Sequence, residues 1–222
     1  MRRRSPPSGA ALAVLVTALA LAGCGHQARS TTAAPVTTSP HQQHLRSALL
    51  TLAEVQALPD APAGFTELPN PPFGILARGH SYGPCGRTIT QLPGPDAVIS
   101  FSAQPRGVTV YHMVYALAAG RAAQFLAESR ADMHPQCPAF RSRSVFGIHT
   151  IQFLGEMMTP PVGDDRLATL NRTSFAGTPD AYVTQAVIRS GDDLSWIAVI
   201  TFTPIPPDFA VEVMAAAAKK LR

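Results

Sequence analysis

The chain has 222 residues, of which 18 are Lys or Arg and 14 are Asp or Glu, and only 14% of its residues are charged. Three of the basic residues, Arg2, Arg3 and Arg4, lie at the N-terminus, which leaves 15 basic residues against 14 acidic ones in the rest of the chain. This nearly neutral charge, without a basic cluster, argues against binding to nucleic acid.

The N-terminus has the pattern of a bacterial lipoprotein signal peptide. The arginines are followed by an apolar run of 13 residues, Ala10 to Ala22, and the run ends in Leu21-Ala22-Gly23-Cys24, which resembles a lipobox. We predict that residues 1–23 are removed and that Cys24 is lipidated, which would anchor the chain on the outer side of the cytoplasmic membrane. The alternatives are an ordinary secretory signal or a transmembrane anchor, although a spanning helix needs roughly 20 residues.

The segment from 24 to 47 is rich in Ser, Thr, Pro, Gln and Ala and has almost no large apolar side chains. Such a composition buries too little surface to offset the entropy of ordering, so a flexible tether is predicted there. His26, His41 and His44 could offer imidazoles to a metal, but no metal site is expected in a tether. Residues 48–222 are long enough for one domain with its own core.

Cys85 and Cys137 remain once Cys24 is assigned to the lipid. Two cysteines outside the cytoplasm allow one disulfide, and we predict this bridge. Two free buried thiols are the alternative. Neither cysteine has the sequence surroundings of an activated nucleophile.

The pattern along residues 48–222 predicts an α+β domain, an antiparallel sheet with helices packed mainly on one face. Thr51 to Glu54 fits a capping box at the start of a short helix, and a loop held by Phe65 and Leu68 follows. Further helices are predicted over Ala118 to Asp132 and after Pro206. Strands are predicted in five stretches: Ala97 to Ala103, Val108 to Leu117, His149 to Leu154, Ala168 to Phe175, and the hairpin of Tyr182 to Arg189 with Leu194 to Thr203.

Candidate sites are few, because the chain lacks the recognisable hydrolase, metalloprotease and nucleotide-binding motifs, and no cofactor is predicted. The acidic pairs Asp164-Asp165 and Asp192-Asp193 resemble catalytic carboxylates, but both follow glycine, where Asp is favoured in turns. Tyr111, Met113 and Tyr115 alternate along one predicted strand and could line a groove for an apolar or amphipathic ligand. The alternative is that both faces of this strand are simply covered.

Several features together resemble the extracellular sensor-like domain family of the mycobacterial serine/threonine kinase PknH and of related actinobacterial lipoproteins. The matching residues are the capped helix Leu50 to Val55, Cys85-Gly86, Cys137-Pro138 after a helix, the turn Pro161 to Asp165 and the hairpin Val187 to Asp192. The resemblance implies a mixed α/β domain with a cleft for an unidentified extracellular ligand. The extracellular domain of the kinase has two disulfides, whereas this chain can form only one, and no functional residue can be transferred.

The leading hypothesis is therefore a lipid-tethered, non-catalytic module that binds an envelope molecule or a partner protein. An enzyme acting on envelope lipid or glycan is the second hypothesis, and it requires a cleft with close, convergent ionisable groups. A structural envelope protein is the third, and it requires a large exposed apolar patch.

Overall fold

The computed structural model describes residues 39–69, 92–104, 107–132, 139–144, 147–175, 177, 179–203 and 207–221. These residues form four helices and eight strands. The helices are α1 (Pro40–Ser47), α2 (Leu52–Gln56), α3 (Arg121–Asp132) and α4 (Pro207–Lys220). The strands are β1 (Phe65–Glu67), β2 (Ala97–Ala103), β3 (Val108–Ala116), β4 (Ala139–Ser144), β5 (Gly147–Glu156), β6 (Asp165–Phe175), β7 (Ala181–Ser190) and β8 (Asp193–Thr201).

All eight strands belong to one antiparallel sheet with the order β1-β2-β3-β8-β7-β6-β5-β4. Strands that are consecutive in sequence are also adjacent in the sheet, with the exception of β3 and β4. The segment that contains α3 connects these two strands. The last strand, β8, pairs with both β3 and β7. It therefore joins the meander β1-β2-β3 to the meander β4-β5-β6-β7 in one continuous sheet.

One face of the sheet packs against α1, α2 and α4. Alternate residues of the strands point to this face, as the period of two in a strand requires. The helices contribute Leu45, Val55, Phe209 and Val213, all at most 1% exposed. From the strands come mainly β-branched and aromatic side chains, including Phe65, Phe101, Val110, Val114, Ile188, Ile197 and Val199.

The other face carries α3. Its apolar side, with Ala122, Phe125 and Leu126, covers Met113, Tyr115, Leu167, Val187 and Leu194 from the sheet. Trp196 packs beside this cluster, with its ring centroid 6.1 Å from that of Phe125. Three of the four helices thus lie on one face and one on the other, which confirms the predicted α+β class.

Helix α1 lies inside the segment predicted as a tether, so that prediction is wrong for residues 40–47. Ser39 caps the helix in a reciprocal capping box with Gln42, and Pro40 occupies the first turn. The side chain of Leu45 is fully buried in the core. The capping box and the buried leucine both stabilise this polar segment against the sheet.

The capped helix predicted at Thr51 is confirmed as α2, whose capping box joins Thr51 and Glu54. The predicted strands and the two later helices are also present, with ends shifted by a few residues. Strands β1 and β4 were not predicted. No helix among the described residues is long and apolar enough to span a membrane. Cys24, Cys85 and Cys137 lie outside the described residues, so lipidation and the disulfide stay predictions.

Candidate functional site

The three residues predicted to line a groove lie on β3, on the face covered by α3. Met113 and Tyr115 are each 1% exposed, and the Tyr115 hydroxyl donates to the Met113 sulfur at 3.3 Å. Burial raises the pKa of Tyr115 and, less strongly, that of the partly buried Tyr111. Met113 and Tyr115 therefore serve as core residues in this structure. Ligand binding at these residues stays a prediction, and it would require α3 to move.

The opposite face of β3 carries His112, which is completely buried. Its Nδ1 accepts a hydrogen bond from the backbone N–H of Leu50 at 3.0 Å, and its Nε2 lies 2.8 Å from the Ser195 hydroxyl oxygen. Burial, with a contribution from the nearby Lys220 ammonium, lowers the pKa of His112 to about 3. The imidazole is therefore neutral at physiological pH.

The contact between His112 and Ser195 resembles half of a serine hydrolase site, but its geometry excludes that chemistry. A backbone N–H can only donate, so Nδ1 of His112 must be the unprotonated nitrogen. Nε2 of the neutral ring then carries the proton and donates it to Ser195. The ring has no free lone pair with which to take the hydroxyl proton, so Ser195 is not an activated nucleophile.

The two acidic pairs hold turns together, as the sequence indicated. Asp164 accepts a hydrogen bond from the Gly191 N–H at 2.7 Å, which ties the loop before β6 to the β7–β8 turn. Asp192, in that turn, accepts from the Gly120 N–H at 3.0 Å and so holds the start of α3. Asp193 lies 3.6 Å from the His41 imidazole. Asp164 and Asp192 thus accept backbone hydrogen bonds that stabilise turns of the fold.

A cleft of about 310 Å³ opens where the end of α3 meets the end of β5 and the start of β6. Charged, polar and apolar side chains share its wall, and they come from three separate parts of the chain. The lining residues are Arg130, Glu156, Met157, Met158, Thr159, Asp165, Arg166 and Ala168. Concave sites of about this size are the usual location of small-molecule ligands.

Arg130 and Asp165 form the rigid side of the cleft. The Arg130 guanidinium donates to both Asp165 carboxylate oxygens, at 2.9 and 2.5 Å, and also to the Arg166 carbonyl oxygen at 2.5 Å. Asp165 accepts a further bond from the Arg166 N–H at 2.8 Å. The hydrogen bonds from Arg130 lower the pKa of Asp165, and those to Asp165 raise the pKa of Arg130. Both groups stay charged.

Arg166 is held differently, because its side-chain partners are neutral. Its Nε donates to the Thr159 hydroxyl at 3.0 Å, and one terminal nitrogen donates to the Thr159 carbonyl at 3.1 Å. The guanidinium is partly buried. Among the residues that the structure describes, no carboxylate lies within ion-pair distance of it. Two of its five N–H donors are used, which leaves three for a ligand.

The remaining wall is apolar. Met157 continues the pairing of β5 with β6, since its N–H donates to the Ala168 carbonyl at 2.9 Å. Met158, the next residue, is 96% exposed at the rim, and Leu154 further back on β5 is 44% exposed. The cleft therefore combines a hydrogen-bonded cation with one exposed thioether side chain at its rim.

Sequence reasoning did not find this cleft. Arg130 and Arg166 are 36 positions apart, and no motif links them. The one available signal was the clustering of charged residues around the Pro161 to Asp165 turn in a chain with little charge. Within the described part of the chain, no group of three or more His, Cys, Asp or Glu side chains could hold a metal.

Comparison with known proteins adds a likeness of fold. No protein-family model and no curated protein sequence matches the chain. Among solved structures, the extracellular domain of PknH from Mycobacterium tuberculosis is similar, with a TM-score of 0.55 and 13% sequence identity. The match covers 81% of this chain and 95% of that domain. At this identity the likeness establishes a PknH-like fold and no more.

Proposed function

We propose that this protein is a lipoprotein anchored through Cys24 on the outer side of the cytoplasmic membrane, with a non-catalytic, sensor-like domain that binds its ligand in the cleft beside α3. The observation that carries the proposal is the cleft itself. Hydrogen bonds hold Arg130, Asp165 and Arg166 in position, as in a preformed binding site.

The anchoring is supported by the signal-peptide pattern and by the similarity of fold to a domain described as extracellular. The described residues begin at Ser39, C-terminal to the proposed lipidation site.

The ion pair with Arg130 argues against a role for Asp165 as a proton donor in this cleft. Glu156 and Asp165 are two carboxylates in one concave site, an arrangement that glycoside hydrolases use. That chemistry needs one carboxyl group whose pKa is raised so that it can donate a proton. The pKa of Asp165 is lowered instead, because Arg130 stabilises its charged form.

A structural role in the envelope has weaker support. It calls for a large continuous apolar patch. Among the described residues, the exposed large apolar side chains are Leu154, Met158 and Phe202. Two of these belong to the β5 region that forms the cleft.

Native mass spectrometry of the protein purified from its own envelope tests the proposal. We expect the mass of a chain that starts at Cys24 and carries a diacylglyceryl group on this residue. We also expect a second, heavier species with the ligand bound. The Arg166→Gln variant should lose the ligand while keeping the lipid. The Cys24→Ser variant is the complementary control, and it should lose the lipid but keep the ligand. A protein that retains no ligand, or an Arg166→Gln variant that retains it fully, contradicts the binding proposal.

A further inference from the structure

We infer that the cleft takes a small amphipathic anion, with its anionic group on the Arg166 guanidinium and a short apolar chain on the exposed side chain of Met158. This inference rests on the proposed binding function and names the ligand class for that same cleft. It follows from the distribution of charge, from the fixed geometry of Arg166 and from the apolar rim.

The cleft has four charged side chains, and two of them form an ion pair with each other. The four are Arg130, Glu156, Asp165 and Arg166. Arg130 is bonded to Asp165, and Glu156 adds to the negative potential that raises the pKa of Arg130. Arg166 has the neutral Thr159 as its hydrogen-bond partner, and among the described residues no carboxylate lies within ion-pair distance of its guanidinium. Its N–H donors are therefore available to an incoming anion.

Arg166 is also suited to an anion by its geometry. A partly buried cation loses solvation, and an anionic ligand restores the lost stabilisation through charge-assisted hydrogen bonds. The two bonds to Thr159 fix the plane of the guanidinium before a ligand arrives. Less entropy is then lost on binding. A planar, immobilised guanidinium is the group that best matches phosphate or carboxylate oxygens.

The rim explains why the anion should carry a hydrocarbon chain. Met158 exposes 96% of its surface to solvent beside the charged groups. Methionine is flexible and adapts to apolar ligands of different shape. A short chain lying on Met158 would remove apolar surface from water on both partners, which stabilises the complex.

The size of the cleft limits the ligand. A volume of about 310 Å³ is at the lower end of the range for small-molecule sites. It admits one head group and a few methylene groups, but not a complete phospholipid. Two kinds of ligand have this chemistry, a soluble amphiphile and the head-group end of a membrane lipid. Binding to vesicles distinguishes between them.

Isothermal titration calorimetry of the purified protein with three soluble probes tests the inference. Hexyl phosphate carries both features, inorganic phosphate has the anion alone, and hexyl glucoside has the chain alone. We expect hexyl phosphate to bind about tenfold more tightly than phosphate, the gain from burying roughly two methylene groups. Hexyl glucoside should not bind. Equal affinities for hexyl phosphate and hexyl glucoside would overturn the anionic part of the inference.

Two variants separate the anionic and apolar contacts. Arg166→Gln should weaken hexyl phosphate binding by about tenfold or more, whereas Arg46→Gln, the same change on the exposed side of α1, should leave it unchanged. Met158→Ser should weaken hexyl phosphate but not inorganic phosphate. Because Met158 is almost fully exposed, this variant should fold normally. If Met158→Ser left both affinities unchanged, the apolar contact would be refuted.

Vesicles of phosphatidylglycerol distinguish the sources of the ligand. If the unlipidated Cys24→Ser protein co-sediments with the vesicles and hexyl phosphate releases it, the ligand is a lipid head group. If this protein binds hexyl phosphate but does not co-sediment, the ligand is a soluble amphiphile. Both results support the inference. If the envelope-purified protein carries a neutral or cationic ligand instead, the inference fails while the proposed binding function stands.

Discussion

Arg130, near the end of α3, donates two hydrogen bonds to the carboxylate of Asp165 at the start of β6. At the beginning of the same helix, the Gly120 N–H donates to Asp192 in the β7–β8 turn. Hydrogen bonds thus attach both ends of helix α3 to the sheet that it covers, one at the start of β6 and the other in the β7–β8 turn. The cleft lies at the Arg130 end, so its shape depends on this attachment.

Asp165→Asn should lower the free energy of unfolding by about 0.5–1 kcal/mol at neutral pH, the range for partly exposed ion pairs. The pKa of Asp165 is lowered in the folded protein, so the unfolded chain takes up this proton first as the pH falls. The contribution is complete above about pH 4 and is lost as the pH falls through the lowered folded pKa. Urea unfolding at pH 7 and pH 3 measures it.

The ion pair of Arg172 and Asp180 provides a matched control. Its atoms are 3.6 Å apart and both side chains are more exposed, at 41% and 39%. Asp180→Asn should therefore change stability by less than about 0.5 kcal/mol. Equal losses in the two variants would contradict a special role for the Arg130 attachment.

Gly163 approaches the β7 backbone closely. Its φ is +67°, and a Cβ placed on it would lie 2.4 Å from the Arg189 carbonyl oxygen. Gly163→Ala should therefore cost about 3 kcal/mol or more, from the left-handed conformation together with displaced backbone. Gly191 has a φ of +60° but open space around it, so Gly191→Ala should cost only about 1–2 kcal/mol. Urea unfolding of both variants tests this difference, and similar losses would show that the loop yields without strain.

His112 should make the stability depend on pH. The imidazole of an unfolded chain takes up a proton near pH 6.5, whereas folded His112 does so only near pH 3. Between these values the unfolded chain binds more protons, so the free energy of unfolding falls as the pH falls, by up to about 1.4 kcal/mol per pH unit. The contribution is fully present above about pH 6.5.

His112→Gln should be less stable at neutral pH and should show a smaller slope between pH 6 and pH 5, before the carboxylates titrate. Chemical denaturation over this pH range measures the variant and the original protein. A slope unchanged by His112→Gln would mean that His112 is not buried in its neutral form.

How much could be predicted differs between the fold and the cleft. Strands β2 and β3 are rich in β-branched residues and flank a turn, and the hairpin β7–β8 turns at Gly191. Local sequence patterns were therefore enough to predict these four strands. Strand β1 has only three residues, and β4 alternates Arg with Ser, so neither carries a periodic apolar signal. The cleft was not predictable because its residues meet only through sheet order and the position of α3.

Helix α1 shows a signal that was present but outweighed by composition. Ser39 and Gln42 have the same capping-box spacing that predicted α2, with Pro40 in the first turn. The surrounding polar residues suggested a tether instead. The composition of the segment gives no sign that one leucine, Leu45, is buried. Its side chain packs in the core and attaches α1 to the sheet.

Leu45→Ala should therefore destabilise the domain by about 2–5 kcal/mol, as for other leucines removed from a packed core. Leu154→Ala, at a side chain that is 44% exposed, should cost less than about 1 kcal/mol. Thermal and urea unfolding would measure both. Truncation gives an independent test of the boundary, since a chain starting at residue 39 should keep full stability and one starting at residue 48 should lose at least the contribution of Leu45. If the shorter chain were equally stable, α1 would be no part of the folded domain, and the link from Cys24 would extend to residue 47.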